Sequence, residues 1–175
     1  MTAPKIISAS PVRPTEADTE LLASVQASAL AIRDLYHAAI AAGAGGDHVA
    51  SLVAIAAHHD AYAQAISSLI GRAAPQARDS KLFTDNKANF GADTTAVALA
   101  AHTLENDLVA AHTEVVGSLE GTEGAALVAS MIIIEARHVV ALAAIAGKSP
   151  VSDTDLFLVT PEAATADAQT TTTIA

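Results

Sequence analysis

Four stretches of this chain repeat hydrophobic side chains at steps of three and four residues, which is the spacing of one face of an α-helix. They span residues 16–42, 47–70, 94–119 and 122–146, and we name them segments A to D. Each helix would be about 37 Å long at 1.5 Å per residue. Because an apolar face of that length has to be buried against other helices, the pattern predicts an all-α helical bundle.

The links between the segments predict how the helices are arranged. The A–B and C–D links are short, which favours antiparallel hairpins. The B–C link, residues 71–93, is rich in Pro, Asp, Asn and Gly and is long enough to cross the bundle and carry a short helical turn. Two hairpins joined by one long crossover give an antiparallel four-helix bundle of ferritin-like connectivity.

Residues typical of helix ends support these boundaries. Thr15, Asp47 and Asp93 precede segments A, B and C and are predicted N-caps, since their side chains accept hydrogen bonds from the first helical turn. Gly71 and Gly147 follow segments B and D, where glycine commonly ends a helix. The four segments are therefore predicted to be separate helices.

The chain divides into three predicted parts. Residues 1–14 form an N-terminal extension, 15–148 the bundle, and 149–175 a polar tail whose Thr- and Ala-rich end is expected to be partly disordered. Residues 1–15 lack a basic stretch followed by an apolar one, so we predict no signal peptide and a cytoplasmic location.

Composition excludes several classes of function. The net charge of −10 disfavours nucleic acid and anionic membranes as partners, because both are bound by clustered Lys and Arg. The absence of cysteine excludes disulfides, thiolate metal sites and cysteine nucleophiles. Hydrophobic residues make up 51% of the chain but aromatic residues only 3%, which suits closely packed alanine-rich helices better than strands.

Segment D is apolar enough to resemble a membrane span. Residues 124–147 are almost continuously hydrophobic, but Glu135, Arg137 and His138 lie at their centre. Charged groups at that depth are costly in lipid. We therefore predict a helix buried inside a protein and no membrane insertion.

Polar residues that interrupt the apolar faces are the candidate functional residues. Glu135 and His138 share one face of segment D, Glu105 lies on the inward face of C, and His59 lies on that of B. Buried carboxylates need partners, and a carboxylate with imidazoles on facing helices can hold one metal ion. We predict these four residues as metal ligands. The alternative is a hydrogen-bonded core network, with Glu135 paired to Arg137 or to a neighbouring helix.

Other polar residues near these faces have a simpler interpretation. We predict that Asp34, His58 and Asp60 point outward. His102 and His112 flank Glu105 along segment C; either could support a metal site, but a solvated helix face explains them as well. The sequence alone leaves that choice open.

The segment D sequence IIIEARHVVALAAIAG resembles the last helix of a bacterial ferritin-like domain family that is common in actinobacteria. LYHAAIAAG in A, AAHHDAYAQAISSLIG in B and LAAHTLENDLVAAH in C are similar to its other helices, and TPEAA near the C-terminus is similar to its closing segment. The resemblance implies a ferritin-like bundle with iron as the expected metal and iron or oxidative-stress chemistry as the expected setting.

The resemblance also implies that the metal site is degenerate. Metal-binding members carry a Glu on helix A, a Glu and a His on B, a Glu on C and a Glu-x-x-His pair on D. Here Ala29 and Ala57 fall where the A and B carboxylates would be, and Tyr62 falls where a His is often found. A di-iron centre with four carboxylates and two imidazoles cannot be assembled from the residues that remain.

Three outcomes follow for function. The chain holds one iron or other divalent ion through the four predicted ligands, or it binds a second ion only at a subunit interface. In the third outcome it has lost metal chemistry and is a non-catalytic helical scaffold that forms a homo-oligomer or binds a partner protein. Whether it is an enzyme is left open by the sequence.

Overall fold

The structure is a computed structural model that describes residues 12–157. Within that range it contains five α-helices, short 3-10 turns and no β-strand. The helices are α1 (Glu16–Ala41), α2 (Val49–Ile70), α3 (Ser80–Asn86), α4 (Thr94–Ser118) and α5 (Thr122–Ile145). Helix α1 packs closely on α2 and α4 on α5, so two hairpins form the bundle and α3 lies in the crossover. The all-α prediction and its helix order are confirmed.

The helix ends show which predicted caps form. The Thr15 side chain accepts from the Asp18 backbone, and the Asp18 carboxylate accepts from the Thr15 backbone, which makes a reciprocal capping box. Asp93 caps α4 by accepting from the Ala96 N–H. The prediction for Asp47 is wrong, because it lies inside a 3-10 turn, Gly46–His48, that precedes α2 and makes no side-chain cap.

The core follows the predicted faces closely. Two large groups of buried apolar residues fill the bundle, one towards each end, with a small third group of Ala29, Leu30 and Ala63. The central level between the two large groups carries the polar residues described below. Tyr36, Leu52 and Leu142 are fully buried in the first group, and Leu22 and Met131 in the second. Val49, in the first turn of α2, lies outside the core and is 40% exposed.

The crossover is fastened to the hairpin of α1 and α2. Gln26 on α1 is fully buried; its side chain donates to the carbonyl of Ala63 and to the Ser67 hydroxyl, and accepts from the Gln76 backbone. The Asp79 N–H donates to the Ala27 carbonyl at 2.9 Å. These bonds fix where the crossover leaves α2.

A buried acid also closes one end of the bundle. Asp18, which is 1% exposed, accepts from the backbone N–H groups of Glu120 and Gly121 in the link between α4 and α5. Burial alone would raise its pKa, but backbone hydrogen bonds from Thr15, Glu120 and Gly121 outweigh that effect and lower it. Asp18 is therefore a structural carboxylate at the end of the bundle.

Helix α5 is the most apolar element. One 18-residue window of it has a mean hydropathy of 1.8, long and apolar enough by composition to cross a membrane, and 39% of that window is buried within the described part of the chain. Its inward face carries Glu135 and His138, which are 0% and 4% exposed. Both make contacts with side chains of α4, described next.

Candidate metal centre

Glu105, near the middle of α4, is the centre of the polar layer. It is fully buried and its carboxylate receives hydrogen bonds from three other helices. Tyr36 Oη of α1 and His59 Nε2 of α2 donate to Oε1, each at 2.9 Å. His138 Nδ1 of α5 donates to Oε2 at 3.2 Å. One carboxylate therefore joins all four long helices.

This layer contains a group of side chains able to hold a metal ion. One ligand atom each from His59, Glu105 and His138 lies within 4.8 Å of the others, and all three residues are buried. Two imidazoles and one carboxylate are a ligand set used for iron(II) and zinc. Burial opposes the charge on Glu105, but the charge of His59 and the hydrogen bonds from His138 and His59 lower its pKa to about 2. The carboxylate is thus an anion at neutral pH.

Aromatic packing holds the His59 side of this group. The Tyr36 ring stacks on His59, with ring centroids 6.1 Å apart, and meets the Phe90 ring edge-on at 5.7 Å. Burial, followed by the charge and the hydrogen-bonding carboxylate of Glu105, raises the pKa of Tyr36 well above its usual value. The Tyr36 hydroxyl therefore stays protonated and acts as a donor to Glu105.

His138 is bonded at both ring nitrogens. Its Nε2 lies 2.8 Å from Nδ1 of His58, and the two rings are stacked with centroids 5.1 Å apart and planes 5° from parallel. His138 therefore contacts Glu105 through Nδ1 and His58 through Nε2. His58 itself is exposed, as predicted, but it bonds inward rather than only to solvent.

Glu135 belongs to a second, separate pair. His112 Nδ1 of α4 donates to Glu135 Oε2 at 2.9 Å, and both side chains are buried. Among the described residues, Glu135 Oε1 and the nearby Tyr62 Oη are buried without a hydrogen-bond partner. Burial, followed by the charges of Glu135 and Glu105, raises the pKa of Tyr62. Glu135 thus has one bonded and one unpartnered oxygen.

The structure brings three of the four predicted ligands together. His59, Glu105 and His138 share one group, whereas Glu135 lies outside it. As ligands all four stay predictions, since the geometry shows only their proximity. Ala57, which the resemblance places at the carboxylate position of segment B, is exposed, and His59 holds the inward position of α2 at this level.

The sequence analysis did not predict two contacts of the buried glutamates, that of Tyr36 with Glu105 and that of His112 with Glu135. Tyr36 was not among the candidate residues, although a tyrosine at an inward position needs a partner for its hydroxyl. His112 was left open, although it lies seven residues after Glu105 on the same face of α4. A polar atom at the end of a side chain on an inward helix face could have indicated both contacts.

The acids and imidazoles at the central level of the described residues fit one metal ion. The described part of the chain has three buried acids, Asp18, Glu105 and Glu135, and Asp18 is occupied in capping backbone groups at the end of the bundle. Two carboxylates and two or three imidazoles at the central level are too few for a centre with four carboxylates. They are enough for a single ion held by His59, Glu105 and His138.

A bundle of antiparallel helices with buried carboxylates and imidazoles on facing helices defines the ferritin-like class of all-α proteins. Comparison with known families agrees: the sequence matches the family described as Ferritin-like domain over residues 18–148, and the chain belongs to that family. No curated protein and no solved structure matches it. The ferritin-like resemblance is thereby confirmed, and an actinobacterial type and a degenerate site stay predictions.

Proposed function

We propose that this chain is a ferritin-like protein that binds one divalent transition-metal ion, with iron(II) as the favoured ion. The observation that carries the proposal is the buried group of His59, Glu105 and His138, with one ligand atom from each within 4.8 Å of the others. Imidazole and carboxylate ligands suit iron, and three protein ligands leave coordination positions open for small molecules. When bound, iron at such a site supplies one-electron redox chemistry.

The surrounding residues would support such an ion in defined ways. Glu105 supplies the negative charge, and its low pKa keeps it ionised at neutral pH. Tyr36 holds the carboxylate by donating to Oε1, so the ligand is oriented before binding. Apolar side chains above and below the polar layer exclude water, which strengthens the attraction between an ion and the carboxylate. A soluble cytoplasmic protein in iron or oxidative-stress physiology is part of this proposal.

The test is metal binding by the purified, chelator-treated chain. We expect one iron(II) per chain under anaerobic conditions, and loss of binding in Glu105→Gln, which keeps the shape of the side chain and removes its charge. Glu135→Gln is the matched control on the facing helix: unchanged binding restricts the ligand set to three residues, and weaker binding adds Glu135. A parent chain that binds neither iron(II), manganese(II) nor zinc(II) overturns the proposal.

A second candidate function is a non-catalytic scaffold that forms a homo-oligomer or binds a partner protein. Exposed apolar side chains favour it: Val53 on α2 is 50% exposed, and Ile133 and Val140 on α5 are 64% and 49% exposed. These side chains would be covered in an assembly. Sedimentation decides, since a monomer at micromolar concentration removes the homo-oligomer from consideration.

A further inference from the structure

Beyond the three grouped residues, one histidine has a position that the proposed function does not use. His58 precedes His59 on α2 but lies on the exposed side of the helix. Its Nδ1 is 2.8 Å from Nε2 of His138, and its ring lies parallel to the His138 ring. Among the described residues, it is the side chain bonded to the ring nitrogen of His138 that faces away from Glu105.

The orientation of His138 depends on both of its ring bonds. A half-turn of the His138 ring about its Cβ–Cγ bond would exchange Nδ1 with Cδ2 and Nε2 with Cε1, so both nitrogens would lose their partners. The bond from Nδ1 to Glu105 is 3.2 Å and the contact of Nε2 with His58 is 2.8 Å. Metal-ligating histidines are oriented in this way by a hydrogen bond at the nitrogen that does not bind the ion.

We propose that His58 is a positioning residue for His138, which keeps Nδ1 directed at Glu105 and towards the metal-binding group. This inference rests on the proposed single-ion site and assigns it a third histidine. His58 touches the ligand and not the ion. It also explains why an exposed side chain of α2 makes an inward contact.

Two substitutions separate this role from simple packing. His58→Asn keeps a polar atom near the place of Nδ1, whereas His58→Leu removes it. His37→Leu is the matched control, because His37 is an exposed histidine on α1. With cobalt(II) as the probe, we expect His58→Leu to weaken binding by about 10–100-fold. His58→Asn and His37→Leu should stay within about threefold of the parent chain, on the same principle.

A measurement on the metal-free protein tests the positioning role of His58 independently. In the metal-free parent and in His58→Asn, the ring ¹⁵N chemical shifts of His138 should report one tautomer, protonated at Nδ1. In His58→Leu they should report a mixture. Equal cobalt affinity in His58→Leu and the parent overturns the positioning role, as does an unchanged His138 tautomer. A parent that binds no cobalt overturns the proposed function instead, and the ¹⁵N comparison still decides on His58.

Discussion

Two buried glutamates lie on facing helices of the same bundle, and their surroundings differ. Glu105 accepts three hydrogen bonds, from Tyr36, His59 and His138, and both of its oxygens are bonded. Glu135 accepts one, from His112, and its second oxygen has no partner among the described residues. Burial penalises both carboxylates, but only the first is fully compensated.

This difference shows that one buried acid can both stabilise the fold and serve as a metal ligand. The Glu105 group is a complete hydrogen-bonded network that can exist without an ion, and its histidines can exchange their donated protons for a metal. Glu135 and His112 are not part of the group of His59, Glu105 and His138 whose ligand atoms lie close together. The two glutamates should therefore respond differently to removal, to pH and to changes in the adjacent tyrosines.

The largest expected effect comes from deleting each acid in the metal-free chain. Glu105→Leu leaves three buried donors without an acceptor, and we expect it to lower the free energy of unfolding by about 3–5 kcal/mol. Glu135→Leu strands one donor but also removes an unpartnered buried oxygen, so the net change should stay within about 1 kcal/mol. Urea unfolding in the presence of chelator measures both. Equal losses would mean that the two acids are equally well paired.

Acidification should have the next largest effect, through Glu105. The folded-state pKa of Glu105 is lowered from 4.5 to about 2, so its contribution to stability is present above pH 4.5 and is lost as the pH falls towards 2. We expect that loss to be on the order of 3 kcal/mol.

Glu105→Gln provides the control, since this part of the pH dependence should vanish in it. Unfolding curves collected across this range check the prediction. A parent and a Glu105→Gln variant with parallel pH profiles would show that Glu105 does not carry the effect.

The smallest expected effect distinguishes the two tyrosines. Tyr36→Phe removes a donor to an ionised carboxylate and should cost about 2 kcal/mol. Tyr62→Phe removes a hydroxyl that has no partner among the described residues, so the stability should stay constant or rise by less than about 1 kcal/mol. Thermal unfolding of both variants tests this. If Tyr62→Phe costs as much as Tyr36→Phe, the Tyr62 hydroxyl is bonded in solution.

The fold was predictable because its signals are local and repeated. Helical period, the Thr15 and Asp93 caps and the glycines after α2 and α5 act within a few residues, and together they gave the helices to within a few residues of their ends. The predicted inward positions on α4 and α5 are buried for the same reason. Asp47 failed because the chain enters α2 through a 3-10 turn, which the helical period does not encode.

The sequence by itself determined the bundle, its two hairpins and the polar residues on its inward faces. Only the tertiary structure decided which of those residues meet. Antiparallel packing of α4 on α5 brings Glu105 beside His138 and Glu135 beside His112, so two acids on neighbouring inward positions receive different partners. The relative height of α4 and α5, and the rotation of α2 that brings His58 against His138, depend on how side chains from separate helices pack together. Helical periodicity fixes the face of each residue but not its height relative to another helix.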